Sequence, residues 1–254
     1  MIKIDYLRFP FRLSEILYND SEDLTLSLST FKIYNLIQST EINVPVKYLI
    51  YKKTFYTTKI NLKTELSEIY DSFDKKSTKY EINCAKKETN NISLKVNCDY
   101  SEFANLSRKY YLQKYNISKD ISKNLEKYKN FGDLITIYYN DNLISGIFVI
   151  KDYPNRIRLL YAYSTYLENP DYKKKSSYLN RYIHWWAIQK YKTEGFYEYD
   201  FGGINIDPNS KTYGITKFKL SFGGKICEEY NYLISKYAKI LKPIYNLKYS
   251  DSYD

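Results

Sequence analysis

Two consecutive runs decide the fold: His184-Trp185-Trp186-Ala187-Ile188-Gln189-Lys190-Tyr191-Lys192-Thr193-Glu194-Gly195, then Phe196-Tyr197-Glu198-Tyr199-Asp200-Phe201-Gly202-Gly203-Ile204. The first is the end of a helix that begins near Tyr178, with Ser176 or Ser177 as cap and Gly195 as stop. A serine oxygen accepts from the free amides of a helix start, and glycine tolerates the left-handed turn at a helix end. The second run alternates as a strand does, with Tyr197, Tyr199 and Phe201 on one side and Glu198 and Asp200 on the other, and it closes on a glycine pair.

Upstream, RIRLLYAYSTY (156–166) reads as another strand, and DLITIYYNDNLISGIFVI (133–150) as two strands turning at Asn140-Asp141-Asn142. Downstream, TYGITKFKLSFGG (212–224) reads as a helix and ICEEYNYLI (226–234) as part of a final strand pair. Residues 1–62 are short alternating runs, hence mostly sheet. Leu62, Leu66, Ile69, Tyr70 and Phe73, then Tyr80, Ile82 and Ala85, predict two helices or one broken helix. NISLKVN (91–97) predicts a strand, and Asp99 or Ser101 caps a helix carrying Phe103, Leu106, Tyr110 and Tyr111. The tail 247–254 is expected to fray. This order of elements predicts an α+β fold with a mixed sheet.

The chain has 254 residues, enough for one large domain or two small ones, and its 44% apolar and 27% charged residues with 8 Gly and 6 Pro exclude disorder and collagen-like repeats. Lysine and arginine exceed aspartate and glutamate by 39 to 29, a net charge of +10 that favours anionic partners such as nucleic acid, nucleotides, CoA or acidic lipid headgroups. A coding bias that enriches Lys, Tyr, Asn and Ile produces the same excess without any partner. Cys84, Cys98 and Cys227 form no CxxC pair, and His184 is the single histidine, so no metal site is expected. Cys84 reads as a buried structural thiol. An odd cysteine count, no export signal and no long apolar run predict free thiols in a cytoplasmic protein without membrane insertion.

Four segments carry chemistry. Lys173-Lys174-Lys175-Ser176-Ser177 precedes a helix start, where unpaired N–H groups and the helix dipole attract phosphate; the plainer reading is a solvated basic turn. Asp200 sits at the end of its strand beside a cleft, or else simply bonds the following turn. His184 shares a helix face with Asn180 and could act as a base, yet no serine or cysteine motif waits for it, and a packed histidine is the plainer reading. Lys217 and Lys219 lie two apart on a helix, so at most one enters a given pocket. Neither a P-loop nor a GxGxxG fingerprint is present.

The ordered series HW and AI, a glycine stop, YDFGG, then GI, FK and FGG, over about residues 178–234, resembles the FemA/FemB/FemX-like branch of the GNAT acyltransferase superfamily. The resemblance implies a GNAT-like mixed sheet flanked by helices in two GNAT-like halves, a degenerate one over residues 1–100 and an acyl-donor-binding one over 101–254. It also implies a donor arm inserted between two splayed parallel strands, RLLYAYSTY and FYEYDFGG. Lys173, Lys174, Lys175, Ser176 and Ser177 would then hold the pyrophosphate of an acyl-CoA cosubstrate, with Ser164, Asn180 and Lys217 also on the donor. Backbone N–H groups near Tyr163 and Ser164 would face the oxyanion. Asp200 would be base or amine-orienting group, His184 second, and Tyr161 or Tyr163 the proton donor.

FemX-like proteins proper draw on aminoacyl-tRNA, whereas shorter relatives use acyl-CoA. The chain is short and has no long helical arm, so the expected reaction is acyl transfer from a CoA thioester to an amino sugar, nucleotide-linked, for surface polysaccharide. Aminoacyl-tRNA-dependent transfer and nonenzymatic nucleic-acid binding are the alternatives. Stable nucleic-acid binding is not expected, and homo-oligomerisation is left open.

Overall fold

The computed structural model describes residues 1–8, 11–19, 32–165 and 173–249, so the run LTLSLST and the tail end from residue 250 lie outside the described residues. The elements are β1 (Ile2–Arg8), β2 (Phe11–Leu17), β3 (Lys32–Ser39), β4 (Leu49–Asn61), α1 (Leu66–Asp71), α2 (Tyr80–Lys86), β5 (Ile92–Val96), α3 (Tyr100–Tyr115), α4 (Ser122–Tyr128), β6 (Gly132–Tyr139), β7 (Asn142–Asp152), β8 (Arg156–Ser164), α5 (Lys173–Thr193), β9 (Glu198–Gly203), α6 (Tyr213–Leu220), β10 (Lys225–Ser235) and α7 (Ala238–Tyr249). They form two compact units, residues 58–226 and residues 1–57 with 227–254. Position 100, the expected division between halves, therefore falls inside the first of these.

In the 58–226 unit the strands run β9-β8-β7-β6-β5, parallel between β8 and β9 and antiparallel elsewhere. The β6–β7 hairpin turns on Asn140 and Asp141, whose φ values of 47° and 61° are the paired positive angles a two-residue turn needs to match strand twist. Ile135, Ile137, Ile147, Val149 and Ile157 bury one sheet face against Ile69, Phe73, Ile82, Leu179, Ile183 and Ile188 of α1, α2, α5 and the turn after α1. On the other face Phe103 of α3 lies so close to Gly146 that a Cβ there would stand 2.7 Å from its ring. Helix α5 ends as expected: Gly195, at φ 87°, donates to the Lys192 carbonyl and Phe196 to that of Tyr191, a Schellman close.

In the other unit the strands run β1-β2-β3-β10, with β2 and β3 parallel and the other pairs antiparallel. Ile16, Tyr34, Leu36, Ile42, Tyr232 and Ile234 form its core, and Tyr245 of α7 stacks on Tyr51 at 4.8 Å.

Several local expectations need correction. Helix α5 starts at Lys173, five residues before the expected Tyr178, so Ser176 and Ser177 are helical residues and not caps. Asp99 occupies the cap position of α3, but its carboxylate accepts from the Tyr138 hydroxyl instead of capping. The final strand pair is one strand of 11 residues, β10, followed by α7. Helix α4 was not expected either. Cys84 is half-buried, and all three cysteines are free thiols.

Candidate active site

The ladder between β8 and β9 is three pairs long: Arg156 with Glu198, Ile157 with Tyr199, and Arg158 with Asp200. Beyond it β8 continues six residues to Ser164 and β9 three to Gly203 without pairing each other. Meanwhile β8 stays paired to β7 along its length, with one extra residue, Leu160, between the pairs Leu159–Val149 and Tyr161–Phe148. A bulge of this kind bends its strand and raises its twist, which turns β8 away from β9. Its edge from Leu159 to Ser164 is left without β9 as a partner at the C-terminal ends of two parallel strands, where clefts in open α/β sheets form.

The bulge also changes which side chains face where. Leu159 belongs to the core under α5, while Tyr163, four residues on, packs against Phe103 of α3 at 5.5 Å. In a regular strand residues four apart share a face. Tyr163 is buried beside Tyr110, Tyr111 and Tyr161, and burial pushes its hydroxyl far above the ordinary tyrosine range. It is therefore a neutral phenol. Tyr161 accepts from Asn124 at 3.0 Å. On the opposite face the Ser145 hydroxyl bridges the Tyr163 carbonyl at 3.0 Å and the Asn180 side-chain amide at 3.1 Å, tying α5 to this part of β8. Ser164, half-buried, pairs with Ser145 across β7.

On β9 the expected alternation holds from Glu198 to Phe201, whereas Tyr197 lies before the strand and is exposed, with the Lys63 ammonium over its ring. Tyr199 and Phe201 pack on His184, with Phe222 tilted against Phe201 at 4.8 Å. Glu198 and Asp200 turn to the other face, where Arg156 lies 3.6 Å from Glu198 and 3.7 Å from Asp200. Asp200 is completely buried and its Oδ1 accepts from the Gly202 N–H at 2.7 Å. Gly202 has a φ of 69°, and a Cβ on it would stand 2.7 Å from the Leu159 carbonyl oxygen, so only glycine fits where the strands part.

Lys219 of α6 reaches the same place and donates to the Gly203 carbonyl at 2.6 Å. Burial, with Arg158 adding to it, pushes its amine down to about 8 despite the Asp200 carboxylate. A lysine titrating near neutrality at the end of a cleft is suited to moving protons. Lys217, the lysine of this helix chosen from sequence, points elsewhere: it is exposed, sits 5.4 Å from the ring centre of Tyr213, and lines an open groove of about 530 Å³ with Ser72, Asp74, Ser77, Leu220 and Ser221. The sequence signal for Lys219 was present but ambiguous, since spacing alone said only that the two lysines diverge.

The first turns of α5 are already engaged. Lys175 pairs with Glu88, and its bonds to Glu88 and Tyr139 hold the ammonium above the ordinary lysine value against the effect of burial. Ser177 donates to Glu81 at 2.8 Å, and Arg181 pairs with the same carboxylate at 3.0 Å. Ser176 is buried, whereas Lys173 and Lys174 are exposed at the helix start.

His184 is fully buried, with Nδ1 2.9 Å from the Tyr199 hydroxyl. Burial drops its pKa to about 3, helped by the positive charges of Lys219 and Arg181. It is a neutral core side chain at any ordinary pH and faces no solvent. Among the described residues no three His, Cys, Asp or Glu side chains gather as a metal would require, and no helix is long and apolar enough to cross a membrane.

No curated protein matches the chain. Among solved structures it is similar to FemX, at 13% identity and a TM-score of 0.63 over 96% of this chain and 85% of that one. It is also similar to L-PGS from Bacillus licheniformis, at 14% identity and a TM-score of 0.54 over 91% and 80%. At such identities the likeness is one of fold. The FemAB family model matches residues 48–247, through α1, α2 and the whole β8–β9–α6 region, and the chain belongs to the FemAB family.

Proposed function

We propose that this protein transfers an acyl group from a carrier-bound thioester or ester to an amine, with the reacting carbonyl seated where β8 and β9 part. As a FemAB-family chain it is a transferase of acyl or aminoacyl groups. The observation that carries the proposal is the three-pair β8–β9 ladder with the bulge at Leu160. It leaves the β8 edge from Leu159 to Ser164 unpaired to β9, which supports the backbone groups near Tyr163 and Ser164 as the oxyanion site.

In the reaction the neutral amine attacks the carbonyl, a C–N bond forms, and the oxyanion is met by backbone N–H groups of β8. The adduct's ammonium proton passes to the neutral amine of Lys219. Collapse breaks the C–S or C–O bond, and Lys219 returns the proton to the leaving group. An amine near pKa 8 is matched to both transfers at physiological pH. Asp200 is a positioning residue in this scheme: sealed from solvent, it holds the Gly202 turn and compensates Arg156. Tyr163 shapes the wall, and His184 takes no part.

The donor first expected is acyl-CoA, with an amino sugar, nucleotide-linked, as acceptor. A second reading, an aminoacyl-tRNA donor, is favoured by one observation: Glu81 and Glu88 lie along the first turns of α5 and occupy Ser177 and Lys175. That leaves Lys173 and Lys174 for a diphosphate. Incubating the protein with acyl-CoA thioesters and with charged tRNA, each with amino-sugar nucleotides and peptide amines, and weighing the products separates the two. Product from neither donor over any amine would end the acyl-transfer reading.

A further inference from the structure

We infer that the exposed side of α7 rests on the surface of an anionic lipid bilayer. Helix α7, Ala238-Lys239-Ile240-Leu241-Lys242-Pro243-Ile244-Tyr245-Asn246-Leu247-Lys248-Tyr249, turns Ala238, Leu241 and Tyr245 inward, and Tyr245 stacks on Tyr51. Ile240 and Ile244, one turn apart, are 63% and 59% exposed. At about 100° per residue they form one flank of the outward arc, and Lys239 and Lys242 the other, with Pro243 between them. All three of these residues are exposed, as is Lys236 just before the helix, and α7 carries no carboxylate. The short helical turn Val46–Tyr48 lies against α7 and adds Val46, 79% exposed, and the exposed Lys47.

Three exposed β-branched side chains beside four exposed lysines forgo about 1.5–3 kcal/mol of burial each, and their surroundings say what covers them. A second copy of the chain would bring one row of lysines against another. An acidic protein would answer the lysines but has no need of the aliphatic flank. A bilayer interface of anionic lipid accommodates both, because aliphatic side chains enter the boundary of headgroups and acyl chains while lysines extend to the phosphates. No described helix spans a membrane, so the helix lies along the surface. The inference stands apart from the transferase reading and does not depend on it.

The test is co-sedimentation of the full chain with vesicles of phosphatidylcholine alone and of phosphatidylcholine with phosphatidylglycerol. Binding is expected to the anionic vesicles and to weaken with salt. Lys239→Gln with Lys242→Gln should lower it about twenty-five-fold, at about fivefold per basic side chain, and Ile240→Ser with Ile244→Ser at least about tenfold. Val46→Ser, on a separate element, should lower it independently. Lys75→Gln with Lys76→Gln, exposed lysines of the other unit, should leave it within about twofold. Equal binding to the neutral vesicles, no binding to either, or binding that ignores both α7 pairs and Val46 would overturn the inference. So would a dimer in sedimentation velocity that Ile240→Ser with Ile244→Ser dissolves, which would give this face to a second copy.

Discussion

The two parts of β8 behave differently. Its first three residues are zipped to β9 and cemented by charge, with Arg156 set between Glu198 and Asp200; its last six keep β7 and leave β9. The zipped part has one buried carboxylate, Asp200, answered by the Arg156 guanidinium and the Gly202 N–H, beside the partly exposed Glu198. The parted part has a lysine titrating low, a glycine no other residue can replace, and an unpaired strand edge. Ion pairing is concentrated at one end of the strand and the proposed chemistry at the other, and a single inserted residue, Leu160, lies between them.

The comparison breaks most forcefully at its zipped end. Arg156→Met should destabilise the fold by about 3–5 kcal/mol in urea unfolding, because Asp200 loses its guanidinium while buried. Adding Asp200→Asn to that variant should recover much of the loss; no recovery would mean that the arginine acts by packing alone.

At the parted end Lys219→Met should lower kcat/KM by about a hundredfold or more. Its stability should move the other way with pH. A lysine held at about 8 when folded and near 10.5 when unfolded leaves the unfolded chain binding the extra proton between those values. Unfolding free energy of the parent should therefore rise as pH goes from about 8 to about 10.5, and Lys219→Met should lack that rise. An unchanged rate in this variant would remove the lysine from the proton transfers proposed for it.

At the junction Gly202→Ala should cost about 1–2 kcal/mol for the left-handed backbone alone, with more from the Leu159 carbonyl. Its activity should fall further than its stability explains, as the strands are forced apart; a thermal shift beside a steady-state assay reads both.

The last prediction belongs beneath the junction. His184, depressed to about 3 from an ordinary 6.5, stays neutral in the fold while the unfolded chain takes a proton. Stability should thus decline as pH falls from about 6.5 toward 3, by up to about 1.4 kcal/mol per pH unit. His184→Phe should flatten that slope without altering the pH dependence of turnover.

Much of this arrangement is legible in the amino-acid order where a local rule has one answer. Asn140-Asp141 between alternating apolar runs makes a hairpin, and Gly195 after a helical face makes a stop. What escaped lies where two rules compete. Three lysines and two serines look like a cap, but lysine also propagates a helix well, and Glu81 on α2 and Glu88 just beyond it draw Ser177 and Lys175 into the helix side. Alternation along β8 would put Leu159 and Tyr163 together, and the bulge at Leu160, a choice of backbone register with no periodicity of its own, separates them. Helix α7 hid behind Pro243, which reads as a breaker yet is tolerated in an exposed turn. Spacing separated Lys217 from Lys219 but could not say which one faces β9; only the position of the Gly203 carbonyl decides it.

The 1–57 unit takes its fourth strand, β10, from residues that follow the whole of the other unit. On a ribosome adding about 5–20 residues per second, β3 must wait on the order of ten to forty seconds for its antiparallel neighbour to emerge. Throughout synthesis its hydrogen-bonding edge has no native cover on that side, whereas residues 58–226 are contiguous and able to condense first. Slow translation, or truncation before Tyr230, should therefore expose a sticky strand edge, and aggregation of nascent chains is where this molecule is most vulnerable.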